Sequence, residues 1–166
     1  MATRLQNPKE LRGPALGAWE ETKRVFLPGG GTMYVPLPFV AITGGKEQSP
    51  KYLWRGEPGE GSVEVELISY YQALRLGAAQ FDALMRERLT PKGGKLIGTL
   101  ETLRVANYET FYHLFQVALD EDPTVARYGA YARTLTRNGG LLFAVTHADQ
   151  ARVDELARAV LATLVV

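Results

Sequence analysis

The hydrophobic pattern of the chain changes its period along the sequence. Between residues 22 and 70, short apolar runs alternate with turn residues, and these runs are residues 32–35, 39–43, 52–55 and 63–70. In the last run Val63, Val65 and Leu67 alternate with Glu64 and Glu66. This alternation predicts a strand with one polar side, preceded by shorter strands.

Residues 72–89 have the helical period instead. Apolar side chains recur there at intervals of three and four, at Leu74, Ala78, Phe81, Met85 and Leu89. The spacing predicts an amphipathic helix that packs on the sheet, weakened near its start by Gly77. The sequence Pro91-Lys92-Gly93-Gly94 that follows is a typical helix stop.

Strand-like segments return after this helix, at residues 96–105, 110–119, 127–136 and 141–145. Asn138-Gly139 predicts a two-residue hairpin turn between the last two, because both central turn positions favour positive φ. The segment 111–119 is apolar on both sides, with Phe111 and Phe115 on one and Tyr112 and Leu114 on the other. A strand of this kind is predicted to lie centrally, with both faces of the sheet covered.

The C-terminal segment predicts a second helix. Thr146-His147-Ala148-Asp149 matches a capping box, so the helix is expected to begin there. Asp154 and Arg158 lie one turn apart and are expected to pair on its outer side. Its buried stripe is predicted to be Val153, Leu156, Ala157, Val160 and Leu164.

The order of strands, helix, antiparallel strands and helix predicts an α+β fold, an antiparallel sheet with helices packed on it. The chain has 166 residues, of which 46% are hydrophobic and 22% charged, a length and composition suited to one domain. Residues 1–18 contain Asn7-Pro8, Gly13-Pro14 and Gly17 and are predicted to form an N-terminal arm. Residues 19–166 are then a single domain.

The charge balance and the lack of cysteine narrow the range of functions. Nineteen basic and 18 acidic residues leave a net charge of +1, which argues against nucleic acid as a partner. The absence of cysteine excludes disulfides, thiolate nucleophiles and cysteine-ligated metals, and it makes the cytoplasm the simplest compartment. No stretch reaches the roughly 18 to 20 apolar residues of a membrane span.

The residues typical of enzyme sites do not form a catalytic motif. Gly29-Gly30-Gly31 leads into a strand-like segment without the lysine and helix of a phosphate-binding loop, so a turn is predicted. His113 is expected to be a hydrogen-bonded histidine of the sheet, and His147 to lie beside a helix cap. We therefore expect no catalytic residues, no metal site and no cofactor.

One strand face offers a candidate binding surface. Arg127, Tyr131, Arg133 and Arg137 alternate toward the same side, and Arg104 of the earlier strand joins them. Three interpretations stay open: a solvated face, a protein interface, or a site for an anion or nucleic acid. If the face docks a partner protein or a second copy of the chain, replacing Tyr131 and Arg133 by alanine should weaken capture with little change in melting temperature.

The aromatic content favours an alternative function. If the last helix stood away from the sheet, the aromatics could line an apolar ligand pocket of the helix-grip type, although core packing explains them as well. The residues concerned are Tyr70, Tyr71, Tyr108, Phe111, Tyr112, Phe115, Tyr128 and Tyr131.

Two groups of residues indicate a resemblance to a known family, which covers residues 32–166. An early strand ends in Met33-Tyr34-Val35-Pro36 and Pro38-Phe39, and a late Leu-Phe-Ala-Val-Thr strand enters the C-terminal helix. This order of elements resembles that of the PsbP-like family, whose fold is an α/β/α sandwich. The family includes the photosystem II extrinsic subunit, a Ran-binding import factor and bacterial relatives. The resemblance implies a non-enzymatic adaptor or chaperone-like domain that docks to a protein, through a sheet edge or the arginine and tyrosine face.

Overall fold

The computed structural model describes residues 15–42, 51–57, 60–117, 127–137 and 139–166. A short 3₁₀ turn, Thr90–Lys92, follows the second helix. In chain order the described elements are β1 (Thr22–Phe26), β2 (Thr32–Pro36), β3 (Val40–Ala41), β4 (Lys51–Arg55), β5 (Ser62–Ile68), α1 (Tyr70–Arg75), α2 (Ala78–Leu89), β6 (Lys95–Val105), β7 (Tyr108–Gln116), β8 (Tyr128–Thr136), β9 (Gly139–His147) and α3 (Gln150–Ala162).

The main sheet of the described residues is antiparallel and has seven strands in the order β3-β4-β5-β9-β8-β7-β6. β1 and β2 form a separate antiparallel hairpin. The chain begins the main sheet at one edge and reaches its centre last, because β9 inserts between β5 and β8. The predicted α+β class is confirmed.

Helices cover the sheet on both sides. α1 packs on β8 and β9, and α2 packs on β6 and β7, so these helices define one face, which we call the α2 face. α3 packs on β8 and β9 from the other side, together with the β1–β2 hairpin, and this is the α3 face. The result is the predicted α/β/α sandwich.

The strand β7 has apolar side chains on both faces, although it lies second from the β6 edge and not centrally as predicted. Phe111 and Phe115 belong to the cluster under α2, with Phe81, Met85 and Leu89. Tyr112 and Leu114 belong to the larger cluster under α3. The predicted two-sided strand is confirmed, and both of its sides are removed from water, which is the main stabilising term of such a layer.

Polar side chains hold α3 on the edge of its cluster. The Tyr112 hydroxyl donates to Asp154 Oδ1 at 2.7 Å, and Arg158 Nε donates to the same oxygen at 2.9 Å. Arg158 Nη2 also lies 2.8 Å from both carboxylate oxygens of Glu101 on β6. The predicted pairing of Asp154 with Arg158 is therefore confirmed. These two residues also connect the helix to β7 through Tyr112 and to β6 through Glu101. All residues of the predicted buried stripe are buried, although Leu164 lies just beyond the end of α3.

The first helical segment differs from its prediction because it is divided. β5 ends at Ile68, and Ser69 starts α1 with a capping box, in which its hydroxyl accepts from Gln72 N at 3.1 Å. Gly77 then adopts extended backbone angles and becomes the N-cap of α2. Phe81 is buried as predicted, but Leu74 is 56% exposed, because it lies on the separate helix α1.

The predicted start of the C-terminal helix is wrong by three residues. Thr146 and His147 continue β9, and the Thr146 hydroxyl lies 2.6 Å from that of Ser62 on β5. The helix N-cap is Asp149, whose carboxylate accepts from Arg152 N at 3.0 Å. Thr146 and His147 stay in β9 because that strand pairs with β5 and β8, a long-range effect that the local capping pattern does not indicate.

The turn interpretation of the glycine triplet is confirmed. Gly29, Gly30 and Gly31 all have positive φ and connect β1 to β2. The preceding strand β1 has no alternating pattern and was not predicted; it forms because β2 pairs with it. Asn138 of the predicted β8–β9 turn lies outside the described residues, whereas Gly139 pairs with Thr136 inside the ladder.

The N-terminal arm contributes to the core near its predicted end. Leu16 is buried in the cluster under α3 and pairs with Trp19 through an isolated bridge. Residues 1–14 lie outside the described part of the chain. The boundary at residue 18 stays a prediction.

A glycine-to-alanine change should test the close packing of the central strands. A Cβ at Gly129 would overlap the ring of Phe115, its cross-strand partner. We expect Gly129→Ala to lower the free energy of unfolding by about 1–3 kcal/mol, the usual cost of overpacking. Urea unfolding checks this. In the double variant with Phe115→Leu the overlap disappears, so the two costs should be less than additive; strict additivity would contradict the assignment.

Candidate functional site

The candidate arginine and tyrosine face lies inside the sandwich rather than on its surface. Tyr131 and Arg133 alternate to the α2 face of β8, as their spacing predicts. Tyr131 is only 5% exposed and Arg133 only 2%. Their burial removes the expectation that both can be replaced by alanine with little change in melting temperature.

Tyr131 packs among the aromatic side chains under α2. Its ring stacks on Phe115, with the ring centroids 4.2 Å apart. Burial raises the pKa of its hydroxyl, while the nearby charge of Arg88 lowers it and that of Glu64 raises it. The side chain therefore contributes mainly to packing.

Arg133 is a buried cation between a ring and a carboxylate. Its guanidinium carbon lies 4.3 Å from the centroid of the Phe111 ring, and its Nη2 donates to Glu109 Oε1 at 3.2 Å. Burial lowers the pKa of Arg133 below its ordinary value, and the hydrogen bond and charge of Glu109 oppose that shift. Nε and Nη1 are buried without a hydrogen-bond partner in the described part of the chain.

The other three residues of the candidate face are less buried. Arg104 is exposed and donates from Nη1 to the carbonyl of Asn107 at 3.0 Å. Arg137 is exposed in the turn after β8, and Arg127 is partly exposed just before that strand. Arg104 is the cross-strand partner of Glu109, the residue to which Arg133 donates. A binding role for these residues stays a prediction.

The two histidines lie on opposite faces of the sheet. His113 places Nδ1 2.8 Å from Asp82 Oδ1 of α2, and Nε2 3.1 Å from the carbonyl of Gly98. His147 lies against Trp19 on the other face and accepts from Asp149 N at 2.9 Å. Both predicted environments are confirmed. Within the described ranges, no three metal-ligating side chains converge.

The aromatic side chains do not line a common pocket. Phe111, Phe115 and Tyr131 face α2, while Tyr112 and Tyr128 face α3. Tyr70 and Tyr71 are exposed on α1. Among the described residues, a cavity beside Tyr131 and Arg88 has a volume of about 10 Å³, room for about one water molecule.

Exposed apolar side chains, which the sequence pattern does not indicate, lie at one end of the sheet. We define this edge surface as Val40, Ile42 and Tyr52, which are 57%, 43% and 45% exposed. Val40 and Ile42 alternate to the α2 face, and Ile42 N donates to Leu53 O on β4 at 2.8 Å. Tyr52 lies on the α3 face, where its ring meets Trp54 edge-on at 6.0 Å.

The two edges of the main sheet differ in their protection. β6, at one edge, has a bulge between Ile97 and Glu101 and carries a left-handed Gly98. Bulges and charged side chains are the usual devices that prevent edge strands from pairing with other chains. Among the described residues, β3 at the other edge is two residues long, which itself limits edge pairing, and its exposed side chains are apolar. The two edges therefore differ in the apolar character of their exposed side chains.

Comparison with known proteins places the fold in a class but does not assign a family. No family model matches the sequence, and the search of curated proteins gave no significant match. The structure is similar to the solution structure of cyanobacterial PsbP (CyanoP) from Synechocystis sp. PCC 6803, with a TM-score of 0.57 and 16% sequence identity. The match covers 87% of this chain and 92% of that chain. The predicted PsbP-like fold is confirmed, and at this identity the likeness concerns the fold alone.

The described helices are not of a kind that crosses a lipid bilayer. None of them is both long enough and apolar enough to do so. The cytoplasmic location stays a prediction from the sequence.

Two alanine substitutions should separate the buried part of the candidate face from its exposed part. Tyr131→Ala removes a ring stacked inside the sandwich, so we expect a loss of about 3 kcal/mol in the free energy of unfolding. Arg104→Ala removes an exposed side chain and should cost less than about 0.5 kcal/mol. Chemical unfolding of both variants checks the contrast; equal losses would contradict the burial of Tyr131.

The environment of His147 predicts a pH dependence of stability. Burial lowers its pKa below the ordinary value of 6.5, helped by Arg152 and opposed by Glu60 and Asp149. The unfolded chain therefore binds a proton at a higher pH than the folded chain does. The free energy of unfolding should fall as the pH drops from about 7.5 to about 5.5.

Replacement of His147 by asparagine provides the control for that measurement. Asparagine can still accept from the amide two residues later, as in an Asx-turn, but it does not titrate. Urea unfolding of His147→Asn should show a weaker loss of stability on acidification than the unmodified protein. The same pH slope in both proteins would exclude His147 as the cause.

Proposed function

We propose that this chain is a non-catalytic domain that binds another protein through the edge surface of Val40, Ile42 and Tyr52. The observation that carries the proposal is the exposure of these apolar side chains at one edge of the described sheet, on β3, just after β3 and on β4. Exposed apolar groups at a sheet edge are typical of protein docking sites, because a partner can cover them and can also pair with the free backbone groups.

The state of the polar residues supports a binding role over a catalytic one. Both ring nitrogens of His113 are engaged, by Asp82 and by the carbonyl of Gly98. Glu64 pairs with Lys51 at 3.0 Å and Glu66 with Arg88 at 3.2 Å. A general base needs an unengaged acceptor within reach of its substrate, and these groups already have structural partners.

The resemblance to a PsbP-like structure agrees with this proposal in its general form. The sequence resemblance implies an adaptor, and the exposure of the edge surface supports docking at that part of the chain. The arginine and tyrosine face is a weaker candidate for protein docking, because Tyr131 and Arg133 are buried.

Affinity capture with charged variants tests the proposal. The double variant Val40→Lys/Ile42→Lys should lose a partner protein that the unmodified chain captures from a native lysate, because two charges would have to be desolvated in the contact. Both side chains are exposed, so its melting temperature should stay close to that of the unmodified chain.

Phe26→Lys is the matched control. Phe26 is 71% exposed but lies on β1, which belongs to the separate hairpin. This variant should capture the same proteins as the unmodified chain. If all three proteins capture the same set in equal amounts, the edge surface is not the docking site.

A further inference from the structure

Arg133 has a buried guanidinium whose hydrogen-bonding capacity is mostly unused. Its side chain is 3% exposed, and Nη2 makes a single hydrogen bond, to Glu109. Nε and Nη1 have no partner among the described residues. Buried polar groups are almost always hydrogen-bonded in folded proteins, so an orphaned buried arginine indicates a missing acceptor.

The existing contact to Glu109 is weak for an ion pair. The 3.2 Å separation of Arg133 Nη2 and Glu109 Oε1 exceeds the about 2.7–2.9 Å of strong charge-assisted hydrogen bonds. The Glu109 side chain is 59% exposed, so water competes for its carboxylate. Another anion can therefore replace it at moderate cost.

Because of the planar geometry of the guanidinium, an oxoanion that binds with two hydrogen bonds must bond Nη2. An oxoanion binds arginine with two parallel hydrogen bonds, along either the Nε/Nη2 edge or the Nη1/Nη2 edge. Both edges include Nη2, the nitrogen that Glu109 occupies. An oxoanion that replaced Glu109 would bond Nη2 and one of the two orphaned nitrogens together.

The charges around Arg133 favour an anion as well. Among the described residues, Arg104 is the cross-strand partner of Glu109, and Arg133 donates to that carboxylate. Phe81 of α2 contacts Phe111, the ring on which Arg133 stacks, at 6.3 Å between centroids.

We propose that Arg133 is the core of an oxoanion-binding site, at which a carboxylate or phosphate group replaces Glu109 on the guanidinium. Arg104 adds long-range attraction from the exposed rim. The anion enters along the position of the Glu109 side chain, the exposed member of the pair.

Side-chain NMR of the full chain labelled with ¹⁵N-arginine tests the proposal directly. Sodium phosphate, and separately sodium acetate, are titrated at constant ionic strength while the Nε–H signals are followed. The Arg133 signal should move with a saturable dependence on at least one of the two anions. The Arg158 signal is the internal control, because Arg158 is already paired with Asp154 and Glu101, and it should stay in place.

The variant Glu109→Gln sharpens the experiment without touching the core. Removing the competing charge should tighten binding of the anion by about tenfold, which corresponds to the loss of one charged hydrogen bond. Saturation by phosphate alone identifies a phosphate site, and saturation by acetate identifies a carboxylate site. If neither anion gives a saturable shift of the Arg133 signal, in the unmodified chain or in Glu109→Gln, the proposal is overturned. This outcome is independent of the docking experiment, because no partner protein is used.

Discussion

The fold depends on the apolar character of both faces of its inner strands. β7 carries Phe111 and Phe115 on one side and Tyr112 on the other, so burying one side alone would leave large apolar surfaces in water. A second layer on each face solves this, with α1 and α2 on one and α3 with the β1–β2 hairpin on the other. The three-layer arrangement follows from that requirement.

The same arrangement decides which polar residues are accessible. Strands at the centre of the sheet are covered on both sides, so Arg133 of β8 is buried although arginine usually lies at the surface. At the β3 edge of the sheet, by contrast, Val40 and Ile42 are exposed to solvent although they are apolar. Position in the sheet therefore outweighs residue type at both places.

The two proposals concern different parts of the molecule and different chemistry. The edge surface is apolar and exposed, which suits a protein partner. The Arg133 site is a cation with unused donors, which suits an oxoanion. The docking proposal depends on the position of β3 at the edge of the sheet. The oxoanion proposal depends on the position of β8 beneath the helices.

Features within a single helix or strand could be predicted from the sequence, whereas features that depend on pairing between distant segments could not. The sequence alone determined the class of the fold, the two-sided strand β7, the buried stripe of α3 and the pairing of Asp154 with Arg158, because periodicity and spacing act within one element. It did not determine that Thr146 stays in β9 or that β1 forms, because each depends on hydrogen bonds from distant residues, such as that between Thr146 and Ser62.

The candidate site shows the same division. The alternation of Tyr131 and Arg133 to one side of β8 could be predicted, since successive side chains in a strand point to opposite faces. Whether that side faces water or a helix could not, because the cover comes from α1 and α2, more than 40 residues earlier in the chain. The order of strands is likewise a long-range property, and it alone places β3 at the edge, where Val40 and Ile42 are left exposed.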